Sequence, residues 1–263
     1  MSRTQLDRAK SRAFFSNRFA IPEADIAANV ARYNNDYSQY GNEVYERITT
    51  RIAHWWNYED HNWFASRIDL FLDQLLKIPR PLLLDIGFSV PYLVADRRFV
   101  GRNDVQAVLV DKCDNVIPFC DAIFELLPSE RRARHHIVIA DVDVEDDRDR
   151  ICNTVADLAK QEKVQSIFVS ATELIEHLEN ANHFWNLLSA LSGWTEMEPC
   201  VYVSLPVGAK IPSHIISFAS SADAVEYLQR HMQIDQCTVL EAPPAESTEY
   251  LRECVCAFGK RKA

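Results

Sequence analysis

From residue 82 onward five short apolar runs are separated by four longer stretches with helical spacing. The runs are 82–86, 105–110, 136–140, 166–171 and 200–205, and helical patterns occupy 91–99, 116–127, 151–161 and 182–191. Apolar runs of this length, bounded by turns, read as strands buried on both faces. A strand followed by a helix and another strand joins parallel neighbours, because the chain must cross back over the sheet. Two further strand-like segments, 236–241 and 252–258, are separated only by Ala242-Pro243-Pro244-Ala245-Glu246-Ser247. That link is too short for a crossover helix, so the two strands are expected to be antiparallel. The expected fold class is α/β: a doubly wound seven-stranded sheet with five parallel strands and a C-terminal antiparallel hairpin, plus an N-terminal helical cap.

The first eighty residues have a different texture. They are helical in pattern and rich in aromatics, among them Phe14, Phe15, Phe19, Tyr33, Tyr37, Tyr40 and Tyr45. Residues 42–78 read as one or two amphipathic helices carrying Trp55, Trp56, Tyr58, Trp63 and Phe64, and they end at Pro79 and Pro81. The division is therefore 1–80, a helical cap or lid over the acceptor pocket, and 81–263, the sheet domain. A homodimer surface is the other use such an aromatic layer allows.

Hydrophobic residues make up 48% of the 263, enough for a sizeable core. The formal charge is 28 − 38 = −10, and an acidic surface repels a phosphate backbone, which argues against nucleic acid as partner. No stretch approaches the roughly 20 apolar residues of a membrane span, and no apolar signal region follows Met1. The seven Cys are odd in number, scattered, and lack a CxxC pair, so they read as reduced, buried thiols rather than a zinc site. Together these features imply a soluble, cytoplasmic chain without a membrane partner.

In an open α/β sheet, ligands bind at the carboxyl ends of the strands. The first run ends in Asp85-Ile86-Gly87-Phe88-Ser89-Val90-Pro91. Gly87 allows a tight turn beside a ligand, and Pro91 suits the first turn of the next helix. The second run ends in Asp111-Lys112, 111 − 87 = 24 residues beyond the glycine, where a carboxylate can accept from both hydroxyls of a ribose. The third ends in Asp141-Val142, an acid for an adenine amino group beside an apolar residue for its ring. Individually each acid is more often an ordinary turn residue or helix cap; it is their succession at strand ends that points to a cofactor.

Leu83-Leu84-Asp85-Ile86-Gly87 resembles the first motif of class I (Rossmann-like) S-adenosylmethionine-dependent methyltransferases, and Val108-Leu109-Val110-Asp111 resembles their second-strand acidic motif. The segment 170–178 resembles the fourth-strand motif of the ubiquinone-biosynthesis type. Ser204-Leu205-Pro206 and 214–218 resemble its fifth-strand segment. The likeness spans about 82–259. It implies S-adenosyl-L-methionine as cofactor, held by Asp85, Gly87, Phe88, Ser89, Asp111, Lys112, Asp141, Val142 and Thr172. It also implies O- or N-methylation of a small metabolite or amino-acid-like acceptor. Only one glycine of the usual first motif is present, which leaves open an altered cofactor pose or a non-catalytic binding protein. The same lack argues against a dinucleotide, whose pyrophosphate needs the full glycine turn.

After the fourth strand come Glu173, Glu176 and His177, with His214 later. On a helix beginning there, Glu173 and His177 would share a face. Three readings stay open. Glu173, His177 or His214 serves as general base at a catalytic centre. Alternatively Glu173, Glu176, His177 and His214 bind a divalent metal that acidifies a hydroxyl acceptor, as in metal-dependent RNA 2′-O-methyltransferases. The third reading is a polar pocket wall with a capping glutamate. His54, His61, His135, His136, His183 and His231 read as surface or core residues, and the acid-rich run 141–149 as mostly solvated loop.

Overall fold

The computed structural model describes residues 8–36, 39–59, 63–99, 102, 104–126, 134–244 and 247–262. Tyr37 and His61 lie outside them. Four helices lead in: α1 (Arg8–Phe19), α2 (Glu23–Asp36), α3 (Ile48–Glu59) and α4 (Ser66–Leu75). The sheet strands are β1 (Pro81–Ile86), β2 (Gln106–Asp111), β3 (Arg134–Ile139), β4 (Ser166–Thr172), β5 (Cys200–Val207), β6 (Met232–Glu241) and β7 (Glu253–Arg261). Between them run α5 (Tyr92–Ala95), α6 (Val116–Leu126), α7 (Glu145–Gln161), α8 (Asn182–Thr195) and α9 (Ser221–His231).

The seven strands form one sheet in the order β3-β2-β1-β4-β5-β7-β6. The first five are parallel, and β7 runs antiparallel to both β5 and β6. This is the expected α/β sheet with its terminal hairpin. The strand order reverses between β1 and β4, so the crevice for a ligand opens at their carboxyl ends. Alternation along the strands divides the core. Leu83, Phe168 and Tyr202 face one side with α3, α4 and α6, while Leu82, Leu84, Val169 and Val203 face the other with α7, α8 and α9. α4 packs directly on β4 and β7, and α3 sits beside α6 on the same face of the sheet. Phe71 of α4 lies 5.7 Å from Phe168 and 5.8 Å from Tyr202, ring centre to ring centre.

Several local expectations need correction. The helix expected over 91–99 is a single turn, α5, because Pro91 and the extended Asp96 bracket it. The acid-rich run is not all loop: α7 begins at Glu145, with three acids in its first turn, where the helix dipole favours negative charge. The segment after β4 is not a helix that continues. Glu173 is left-handed (φ 54°) and a short 3-10 turn, Ile175–His177, follows. α9 and the early start of β6 at Met232 were not anticipated. Gly259 faces the bulge between Ile234 and Gln236, where a side chain would collide with the Gln233 carbonyl. Cys237 is exposed, contrary to the expectation of buried thiols, because β6 is a sheet edge; Cys254 and Cys256, two apart on β7, bring their Sγ atoms to 3.9 Å. Among the described residues no helix is long and apolar enough to cross a membrane.

Candidate functional site

One cavity of about 450 Å³ lies at the carboxyl ends of β1 to β5, within the size range of small-molecule sites. Gly87, Phe88, Ser89, Asp111, Lys112, Asp141, Val142 and Thr172 line its floor, and residues of the N-terminal helices, among them Tyr33, Tyr45, Arg51, His54, Trp63 and Arg67, complete it.

The turn after β1 needs its glycine. Gly87 has φ 69°, and a Cβ there would sit 3.0 Å from the Leu174 side chain. Its N–H donates to the Val110 carbonyl at 2.7 Å, tying the turn to β2. Ser89 is also left-handed, at φ 52°. Its hydroxyl lies 2.6 Å from His54 Nδ1, and His54 Nε2 lies 2.8 Å from the Tyr33 hydroxyl. His54 was read as an ordinary surface or core residue; it stands instead in the cleft. Burial, then the neighbouring Arg51, lowers its pKa to about 3, so the ring is neutral.

The two strand-end acids differ in their surroundings. Asp85 is buried and its Oδ1 has no partner. Burial pushes its pKa up to about 7, the Ser170 hydroxyl beside it only partly offsetting this. Asp111 is fully engaged. Arg51 Nη1 donates to its Oδ2 at 3.1 Å and Nη2 to its Oδ1 at 3.3 Å. The amides of Ser89 and Cys113 donate to it at 3.3 and 2.9 Å. Both side chains of this ion pair are almost completely buried, Arg51 at 2% and Asp111 at 8% exposure. Lys112 is exposed at the rim. Asp141 accepts from its neighbour Asp143 N at 2.9 Å, and Val142 is buried beside it. Asp143, not singled out in the sequence, accepts from the amides of Glu179 and Asn180 and from His183, so it anchors the loop after the 3-10 turn.

The residues following β4 are not one cluster. Glu173 pairs with Arg67 of α4 at 2.6 Å, although the Nε–H is not aligned for a hydrogen bond. Burial raises the Glu173 pKa to about 7 despite Arg67. Arg67 also donates to the Phe64 carbonyl and lies over that ring. His177 and His214 stand edge to face with ring centres 4.9 Å apart. His177 Nδ1 donates to the Ser213 carbonyl at 2.7 Å, so Nε2 carries the lone pair, 3.5 Å from the Tyr45 hydroxyl. Burial lowers His177 to about 4 and His214 to about 3. Glu176 is buried with both carboxyl oxygens unpartnered, and burial, then Glu173, holds its pKa well above the usual range. Potential ligand atoms of Glu176, His177 and His214 lie within 4.8 Å of one another. Glu173 is not in that group, since Arg67 draws it aside and the 3-10 turn removes the shared helical face.

Arg51, His54, Arg67, Tyr33 and Tyr45 were all missed as site residues. One signal was readable: Arg51 and His54, three apart on an amphipathic segment, place two polar groups on one helical face.

No protein-family profile matches the sequence, and no curated protein matches it. Among solved structures, a duf574 family protein from Streptomyces avermitilis matches at 13% identity, over 96% of this chain and 97% of that one, with a TM-score of 0.50. The N-methyltransferase NodS from Bradyrhizobium japonicum, in complex with S-adenosyl-L-homocysteine, matches at 9% identity over 79% of this chain and 92% of that one, with a TM-score of 0.48. The methyltransferase domain of bacterial CtHen1-C matches at 14% identity over 74% and 96%, with a TM-score of 0.46. At these identities the likeness is one of fold.

Proposed function

We propose that the chain is a methyltransferase that binds S-adenosyl-L-methionine in this cavity and methylates a small molecule. The observation that carries the reading is the convergence of the Gly87–Ser89 turn, Asp111 and Asp141, from the ends of three adjacent parallel strands, on one cavity. The site fits the cofactor at the turn, where a positive φ and the close Leu174 side chain leave room for backbone alone. Phe88, Ser89, Lys112, Val142 and Thr172 complete the proposed cofactor side, and Asp85 is buried behind the turn, outside the cavity lining. At Asp111 the fit requires Arg51 to yield, because its acceptor positions are filled. The cofactor supplies an electrophilic methyl group. The chain supplies position: an in-line displacement gains much of its rate from held geometry. The aromatic residues of the N-terminal helices exclude water, and they limit the acceptor to what the cavity admits, which favours a metabolite over a nucleic acid. His177 Nε2, 3.5 Å from the Tyr45 hydroxyl, is our proposed acceptor of a proton from an acceptor hydroxyl or amine. His214 stands beside it, while Glu173 is held by Arg67.

A second reading concerns metal. The two unpartnered oxygens of Glu176, with His177 and His214, form an oxygen–nitrogen set suited to a divalent ion. Such an ion would orient and acidify an acceptor hydroxyl. Glu173 would contribute only by leaving Arg67.

Calorimetry with S-adenosyl-L-homocysteine tests the cofactor reading. The wild type is expected to bind, and Gly87→Val, checked for retained fold by circular dichroism, to bind at least tenfold more weakly. No binding by the wild type sinks the reading. Stoichiometric metal in purified protein, lost in Glu176→Gln, is the outcome expected of the metal site, and metal-free active protein would exclude it.

A further inference from the structure

We propose that α3 is a latch on the cofactor half of the cleft, and that the cofactor's ribose takes the place of Arg51 on Asp111. The inference rests on the cofactor reading above. An ionised carboxylate offers about four lone-pair positions. Asp111 meets four protein N–H donors, two from the Arg51 guanidinium and two from the amides of Ser89 and Cys113. The amides belong to loops at the ends of β1 and β2 and stay with the sheet. The guanidinium ends a long side chain and can swing aside while Ile52, Ala53, Trp55 and Trp56 keep α3 packed in the core. A vicinal diol brings two O–H donors, so the exchange keeps the number of hydrogen bonds at Asp111 while removing the competitor.

A second contact makes this a latch rather than one ion pair. His54, three residues on and on the same helical face, bonds to Ser89 in the turn after β1. α3 thus covers two proposed cofactor contacts at once. Arg51 Nε also donates to Asn115 Oδ1 at 3.3 Å, and Asn115 Nδ2 donates to the Tyr45 carbonyl at 3.2 Å. Tyr45 stands beside His177 on the acceptor side. Release of Arg51 is therefore connected, through Asn115 and Tyr45, to the acceptor side.

The affinity of S-adenosyl-L-homocysteine for wild type, Arg51→Met and Arg51→Lys, measured by calorimetry, tests this. Arg51→Met is expected to bind at least tenfold more tightly, and Arg51→Lys, which loses the two-pronged geometry, to fall between. Equal or weaker binding by either folded variant, with the wild type binding, overturns the latch and leaves the cofactor reading standing. Binding by the variants alone supports the latch in its strongest form. No binding by any of the three overturns both. If Arg51→Met does not fold, wild type mixed rapidly with the ligand still decides. Trp55 and Trp56 on α3 report the change, and the observed rate is expected to level off with ligand concentration. A rate that rises linearly throughout overturns the latch.

Discussion

Asp85 and Asp111 end neighbouring strands and face the same side of the sheet, yet their surroundings differ completely. Asp111 has every acceptor position filled, whereas Asp85 keeps an oxygen with no donor in reach. Burial disfavours the charged form, and the Ser170 hydroxyl offsets it only in part, which is why Asp85 titrates near 7 rather than 3.8. The sign for stability follows. Between those two values the folded state holds a proton that the unfolded state has lost, so stability falls as pH rises through this window and the penalty is complete above about 7. Urea unfolding at pH 5 and pH 8 is expected to show a smaller loss in Asp85→Asn than in the wild type, by an amount on the order of a few kcal/mol. Parallel pH dependence in the two proteins would refute it. At this scale the sequence revealed which acids end strands. It did not reveal which acid meets a guanidinium, since Arg51 lies sixty positions away.

Among the elements, the turn after β4 is the least legible in the sequence. The segment 175–177 carries residues that a helix accepts, but the left-handed Glu173 and the pull of Arg67 on its side chain turn the chain into a single 3-10 turn. The order is tertiary, because nothing local demands it. α9 was legible and was missed: Ser220 followed by Asp223 is a capping pattern, and Ala224 and Leu228 are the buried stripe. The Ser220 hydroxyl accepts from Asp223 N at 3.2 Å. Ser220→Ala is expected to cost about 1 kcal/mol in chemical denaturation and Ser220→Asp much less. An equal loss from both substitutions would show that the cap is not the cause.

For the whole molecule, the N-terminal helices are one layer of the sandwich as well as a roof. α3 and α4 share a core with Leu83, Phe168 and Tyr202, so a chain of 81–263 would leave that face of the sheet open to water. We expect this truncated chain to be insoluble, or to lose near-ultraviolet circular dichroism while keeping far-ultraviolet signal. A cooperative, monodisperse fragment would instead show that the cap is a separable domain. The formal charge of −10 leads to the same small-molecule reading as the size of the cavity, about 450 Å³.

The sequence by itself determined the sheet, the order of strand and helix along the chain, the terminal hairpin and the positions of the acids and Gly87 at strand ends. Those features follow from the period of apolar residues and from short-range turn chemistry, which are local. Only the tertiary structure decided that Arg51 and His54 cover Asp111 and Ser89, that Arg67 takes Glu173 away from His177, and that Glu176 is left with His177 and His214. Side chains from distant segments compete there for the same few buried acceptors. Which donor reaches an acceptor depends on how α3 and α4 pack against the sheet.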